Sequence, residues 1–484
     1  MTERPIILWF RQDLRLGDNP ALAAAVASGA PILPVFVLDE ETPGKWSPGG
    51  ASRWWLHQSL YALGQSLAAI DCPLLLRRGT GAEVIRSLVA ETDARAVYWN
   101  RCYEPFAILR DTALKNALKD DDVEVESFNA ALLFEPWQVK TKSGTPPKVY
   151  SPYWRAIRLL GDPEPEGAAP EKISRLREIP AGDRIEDWHL QPSQPDWASG
   201  FPALWLPGEQ SALNKLDRFL ENALEDYKTG RDFPSKPLVS RLSPHLHFGE
   251  IGPRQVWHRT VAHCITTGRD PFTGSTEHFL KELVWREFSH AQLYYNPTLP
   301  DACLRPEYEG FPWIGSEKPL RAWQRGQTGI PIVDAGMREL WQTGYMHNRV
   351  RMICASFLVK HLMVDWRAGE AWFWDTLVDA DLASNAASWQ WVAGSGADAA
   401  PYFRIFNPVL QGEKFDKHGE YTRHWVPELS NVPDRYLHKP WEAPENSAPD
   451  YNSPIVDLAF GRARALTAFK RLNEGLPSDI AACA

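Results

Sequence analysis

The sequence predicts an N-terminal doubly wound parallel α/β domain, a long linker and a C-terminal all-helical domain. Strand-like and helix-like segments alternate over the first 130 residues, which is the pattern of a parallel sheet wrapped by helices. Eight prolines fall between Gly161 and Gln210 and suppress regular elements there. Beyond Glu209 the apolar residues recur at i, i+3, i+4, the spacing of buried helix faces. The expected division is residues 1–130, 131–210 and 211–484.

In order, the first domain reads as strand 6–10, helix 20–27, strand 32–38, helix 52–70, strand 73–77, helix 81–91, strand 96–100, helix 106–119 and strand 123–128. No G-x-G-x-x-G follows the first strand and no Walker A motif occurs, so the common dinucleotide and NTP phosphate loops are absent. Helical spacing then covers 213–224, 256–264, 277–293, 332–342, 349–362 and 371–382. The tail after Asp450 reads as a helix through Leu472 that then frays. There is no internal repeat and no low-complexity run.

The most apolar stretch, 21–38, contains Ser28, Gly29, Pro31 and Pro34, so it reads as helix, turn and strand and not as a membrane span. The N-terminus lacks the basic flank and cleavage site of a signal peptide. The 6 cysteines are scattered without a C-x-x-C pair, which leaves no zinc or iron-sulfur pattern and no expected metal. A reduced, cytoplasmic, monomeric protein with no membrane partner is expected.

The formal net charge is −9, so any nucleic-acid contact must come from a local basic patch. Residues 321–367 supply one: seven Arg or Lys against three acids, interleaved with Trp323, Trp341 and Trp366. A solvated helix face would give the same composition. The 22 tryptophans exceed what one core needs and invite a ligand with flat faces. Three helical sets share a face by spacing: Glu282, Trp285 and Arg286; Asn348, Arg351 and Met352; Asp381, Asn385 and Trp389. Singly, each is also what a surface ion pair or a core ring produces.

Longer strings carry more. Trp9-Phe-Arg-Gln-Asp-Leu-Arg-Leu16, Ser240-Arg-Leu-Ser-Pro244, Glu282-Leu-Val-Trp-Arg-Glu-Phe288, Met346-His-Asn-Arg-Val-Arg-Met352 and Asp398-Ala-Ala-Pro-Tyr-Phe-Arg-Ile-Phe-Asn-Pro408 resemble the photolyase/cryptochrome family. The likeness is strongest to its microbial branch that repairs cyclobutane pyrimidine dimers, and it runs from residue 5 to about 442.

The resemblance implies FAD inside the helical domain, held by Tyr227, Val239, Ser240, Arg241, Leu242, Ser243, Phe279, Arg286, Arg351, Asp379, Asp381 and Asn385. Ser240 and Ser243 offer hydroxyls to the pyrophosphate, Arg351 with Asp379 would sit at the isoalloxazine edge, and Asn385 would face N5. It further implies UV-damaged DNA as partner. Photolyases are among the enzymes that act on an extruded base. Trp285 and Trp391 would wall the flipped dimer, Met352 would pack on it, and Glu282 with Asn348 would bond the base edges, the Glu as a donor. Arg231, Arg349, Arg404 and Gln411 would take phosphates. Trp389, Trp366 and Trp313 match the family's electron-transfer chain.

The (6-4) branch resembles this pattern with His at the positions of Asn348 and Met352, so dimer repair is the better match, and the scattered cysteines disfavour the iron-sulfur branch. The alternative is a cryptochrome-type photoreceptor without repair activity; retention of Glu282, Trp285, Asn348, Met352 and Trp391 favours the lyase. A plain flavin reductase lacks a nicotinamide motif. The N-terminal domain resembles an antenna holder, with methenyltetrahydrofolate favoured and a deazaflavin or flavin as alternatives. Gly44, Phe106 and Ala107 depart from one folate mode of the family, which uses a His and a polar pair there.

Overall fold

The computed structural model describes residues 4–399, 403–444 and 447–474. The first domain contains β1 (Ile6–Phe10), α1 (Pro20–Ala27), β2 (Ile32–Leu38), α2 (Gly50–Ala69), β3 (Leu75–Arg78), α3 (Gly81–Thr92), β4 (Ala96–Asn100), α4 (Pro105–Asp120) and β5 (Glu124–Phe128). The sheet has order β3-β2-β1-β4-β5 and every pairing is parallel, with Ile6 opposite Ile32 on one side and Ala96 on the other. Alternate residues of β1 explain why it is apolar throughout. Ile6, Leu8 and Phe10 pack into one core, while Ile7 and Trp9 pack into the core on the opposite face. The doubly wound expectation holds.

After α5 (Tyr150–Leu160), residues 161–208 hold two short 3-10 turns, Ile185–Trp188 and Phe201–Ala203, and one isolated bridge of Arg175 to Ile32 of β2. The helical part comprises α6 (Glu209–Asn222), α7 (Tyr227–Gly230), α8 (Ser243–His247), α9 (Pro253–Thr266), α10 (Gly274–Tyr295), α11 (Glu317–Gln324), α12 (Pro331–Thr343), α13 (Asn348–Ser356), α14 (Trp366–Thr376), α15 (Leu382–Ala393), α16 (Pro408–Phe415), α17 (Glu420–Trp425), α18 (Asp434–Leu437) and α19 (Leu458–Asn473). Two buried acids lock the parts together. Glu250 accepts from Trp55 Nε1 at 3.1 Å and from the Gly208 N–H at 2.7 Å, and Asp18 pairs with Arg254 at 2.8 Å. No helix among the described residues is long and apolar enough to cross a membrane.

Several elements differ from the periodicity reading, which did not foresee α7, α8, α11, α16, α17 or α18 and started the tail helix before Leu458. The single helix expected over 371–382 is two helices, because Leu377 turns extended and Val378 donates its N–H to Gly344 O at 2.8 Å. Asp381 then caps α15 by accepting from Ser384 N at 2.7 Å. The expected helix 349–362 is α13 followed by a π turn, Phe357–His361, that carries the buried Lys360. Helix α5 was not expected, although Tyr150, Tyr153, Ala156 and Ile157 are buried at helical spacing. The fraying expected beyond Leu472 concerns mainly residues 475–484, outside the described residues.

Candidate active site

A cavity of about 1000 Å³ opens between α7, α8, α10, α13, α15 and the segment joining α14 to α15. That is the upper end of small-ligand pockets, enough for an extended dinucleotide. Its lining includes every residue expected to hold the flavin: Tyr227, Val239 to Ser243, Phe279, Arg286, Arg351, Asp379, Asp381 and Asn385. Glu282, Trp285, Asn348, Arg349, Met352, Trp389, Trp391, Arg231 and Arg404 line it too. Gln411 does not; it lies on α16, outside this wall.

Local structure explains the convergence. On α10, Phe279, Glu282, Arg286 and His290 follow one another at three- and four-residue steps and present one face. On α15 the cap Asp381, Asn385 and Trp389 follow at four-residue steps. The break at 377–381 is what lets Asp379 and Asp381 both reach the wall.

The inner end is a set of matched polar groups. Asp379 Oδ2 accepts from Ser243 Oγ at 2.6 Å and from Arg351 Nη2 at 2.9 Å, and Arg351 Nε donates to Met346 O at 2.7 Å. Asp381 lies 3.4 Å from His290 Nε2 and 3.8 Å from His247 Nδ1. Burial alone would raise its carboxyl, but His290, His247 and Arg286 outweigh that and hold it well below the usual range. Burial works against the His290 cation as well, and Asp381 overrides it, so His290 is pushed up. Asn385 Nδ2 donates to Glu370 O at 3.1 Å, which leaves the amide oxygen to meet a donor. Some buried atoms have no partner here: Asp379 Oδ1 and Trp389 Nε1. Such orphans on a cavity wall suit a polar ligand.

The outer end is paired differently. Glu282 forms an ion pair with Arg231, and Arg349 Nη2 reaches Asp232 Oδ2 at 2.9 Å. Glu282, expected as a donor to a base edge, is here paired with a cation. Asp232, His247 and His290 were not singled out in the sequence. His290 stands four residues after Arg286, so the face spacing could have found it; nothing local marks Asp232.

Trp389, Trp366 and Trp313 share one hydrophobic core. The ring neighbours of Trp389 are Phe373, centroid at 5.0 Å, and Trp323, at 6.2 Å and edge-on. Trp323 was noted only as part of the basic stretch.

Residues 6–171 match the family described as DNA photolyase, and residues 279–471 match the FAD binding domain of DNA photolyase. The chain is 50% identical to the deoxyribodipyrimidine photo-lyase of Agrobacterium fabrum, over 96% of this chain and 97% of that protein. It is 38% identical to cryptochrome-1 of Arabidopsis thaliana, over 96% of this chain and 70% of that one. Among solved structures it is similar to a class III photolyase from Agrobacterium tumefaciens, with a TM-score of 0.94, 48% identity and 98% of each chain covered. A Synechocystis cryptochrome aligns at a TM-score of 0.88 with 28% identity, over 97% of this chain and all of that one. A sheet domain clamped to a helical domain around such a cavity is the flavoprotein class that photolyases and cryptochromes share. Within that class the chain belongs to the DNA photolyase family.

Proposed function

We propose that the protein is a light-driven lyase that splits cyclobutane pyrimidine dimers in DNA. The observation that carries this reading is one cavity lined both by the flavin residues and by Glu282, Trp285, Asn348, Met352 and Trp391. Those five are the residues a photoreceptor without repair activity has no need to keep. The similarity to a class III photolyase supports that branch.

FAD fits the residues present. Ser240 and Arg241 would hold its phosphates, with the Ser243 hydroxyl committed to Asp379 and only its backbone N–H free to help. Tyr227 and Phe279 would flank it, Arg286, Arg351, Asp379 and Asp381 would match its polar edges, and Asn385 would offer an amide oxygen. Bound FAD supplies the light-driven electron chemistry. The chain does the rest. Trp285 and Trp391 stack on the flipped bases, Met352 packs between them, and Asn348 and Glu282 meet the base edges once Arg231 turns to a phosphate. Arg349 and Arg404 take neighbouring phosphates, and Gln411 extends that track along the surface of α16. Trp389, Trp366 and Trp313 lie in or against one core and would form the route by which an electron from an external reductant could reach the bound cofactor.

Residues 1–130 serve as the antenna domain, 131–210 as linker and 211–484 as the catalytic domain. The first of these would hold a second pigment, methenyltetrahydrofolate being favoured, with a deazaflavin or a flavin as alternatives. The protein works as a cytoplasmic monomer on UV-damaged DNA.

The test is direct: load the protein with FAD, reduce it, add an oligonucleotide carrying one thymine dimer, illuminate and follow the loss of the dimer. Repair in light and none in the dark is expected. Bound but unrepaired dimers would make the photoreceptor reading the right one.

A further inference from the structure

Behind the flavin wall, α10 carries a histidine that the proposed reading leaves without a task. His290 is buried one turn beyond Arg286 and, unlike Arg286, does not line the cavity. Its Nδ1 lies 3.0 Å from Arg286 O. A carbonyl oxygen only accepts, so Nδ1 carries a proton. Its Nε2 lies 3.4 Å from Asp381 Oδ2. A neutral ring with its proton on Nδ1 would turn a lone pair toward that carboxylate, whereas a second proton makes the contact an ion pair.

Asp381 has reason to stay ionised. Its Oδ1 accepts from Ser384 N at 2.7 Å as the cap of α15, where the helix end favours a negative charge. A proton on Oδ2, shared with a neutral ring, would forfeit that preference. The carboxyl is buried and lines the cavity. Among the described residues the basic groups within ion-pair distance of it are two histidine rings, and His247 Nδ1 of α8, at 3.8 Å, is beyond hydrogen-bond reach. Arg286 is turned elsewhere: it donates to Ala131 O at 2.7 Å and lies 3.7 Å from Glu287. His290 is therefore the counter-ion that a buried carboxylate requires. The other titratable groups around the ring have partners of their own. Tyr103, from the segment after β4, meets it edge-on at 6.5 Å and donates its hydroxyl to Glu135 at 2.7 Å, while Glu287 accepts from Leu133 N at 2.9 Å. A carboxyl held down and an imidazole pushed up agree with that pairing.

We infer that His290 is a buried imidazolium that keeps Asp381 ionised and aimed into the cavity, a positioning residue through which α10 and α15 present one fixed acceptor to the flavin. The inference rests on the proposal that the cavity receives FAD against Asp381. An ionised Asp381 accepts an N–H of the cofactor and repels a carbonyl, so the charge on His290 decides which ring edge can meet this wall. It also ties flavin affinity to pH. As pH rises through the value of His290, which stands above the ordinary 6.5, the ring loses its charge, Asp381 loses its counter-ion and affinity falls.

Two variants test it. His290→Gln keeps a donor without the charge, and His290→Lys keeps a charge that does not titrate between about pH 6 and about pH 9. Each apoprotein is titrated with FAD across that range. The parent should bind more weakly toward the alkaline end. At neutral pH His290→Gln should bind about tenfold more weakly than the parent, the scale of one hydrogen bond to a charged group, and should lack the alkaline fall. His290→Lys should stay close to the parent and lack the fall as well. Parent-like affinity in His290→Gln overturns the inference, and so do equal losses in both variants, which would mark a packing role. Nitrogen NMR spectra of the parent apoprotein need no variant. His290 is the one histidine that follows a serine, so paired labelling of Ser and His assigns it. Both ring nitrogens should be protonated at neutral pH, and a singly protonated ring overturns the inference even where the variants fail to fold. A parent that takes up no FAD would sink the flavin reading instead, and the spectra would still decide the charge of the ring.

Discussion

The two ends of the cavity use the same residue types in opposite ways. At the inner end Asp379 is almost fully buried between Ser243 and Arg351, and Asp381 is buried among His247, His290 and the start of α15. At the outer end the Glu282 and Asp232 side chains, 32% and 36% exposed, hold Arg231 and Arg349. A buried pair cannot be opened without stranding a charge, so the inner pairs act as fixed scaffold. The outer arginines are largely buried, 12% and 19% exposed, but their acids are open to solvent, which screens the attraction, so the outer cations can trade a protein carboxylate for a DNA phosphate. The acids at the mouth keep the cations in place on a protein whose net charge is −9.

The contrast can be broken most forcefully from inside. Asp379→Ala leaves Arg351 without its partner and Ser243 without its acceptor, and should cost about 3 kcal/mol together with most of the bound flavin. Thermal unfolding and the flavin-to-protein absorbance ratio would check it. Retention of both stability and flavin would mean that the inner pairs are as exchangeable as the outer ones.

A second test uses pH. Glu287, fully buried on α10, accepts the Leu133 N–H at 2.9 Å, yet burial dominates and pushes its carboxyl up to about 7. Its unfolded value is about 4.3, so its stabilising contribution is complete below that pH and is lost as pH rises through 7. His290 is raised as well and acts in the same direction, losing its contribution as pH rises above about 6.5. The melting temperature should therefore fall as pH rises from about 4.3 through 7, with His290 adding to the fall above about 6.5, and Glu287→Gln should flatten the part below 7. An unchanged slope would remove Glu287 from the account.

The outer end should respond more gently. Glu282→Ala is expected to lower repair per absorbed photon with FAD still bound, and to strengthen binding of undamaged DNA by up to about 1 kcal/mol, since Arg231 loses its internal competitor. Loss of flavin in that variant would instead make Glu282 a structural carboxylate. Smallest of all, Arg349→Ala should reduce the slope of log affinity against log salt by about one, as for a single phosphate contact. Titration of one oligonucleotide at several salt concentrations measures it, and an unaltered slope would leave Arg349 bound only to Asp232.

Much of the protein was legible before folding. Alternating β and α segments gave the sheet because a strand buried on both faces must be apolar throughout, as β1 is. Glu282, Trp285, Arg286, Asp381, Asn385 and Trp389 were found on their faces because side chains three or four residues apart on a helix are neighbours whatever the rest of the chain does. The tertiary structure decided which of them meet. Asp379 finds Ser243 across 136 positions, Tyr150 finds Lys281 across 131, and the break between α14 and α15 forms where Val378 bonds Gly344 rather than its own helix. Helical periodicity reaches only one or two turns along the chain, so it can place a charge on a face. Whether that charge meets a partner, a cofactor or solvent depends on segments that only packing brings together.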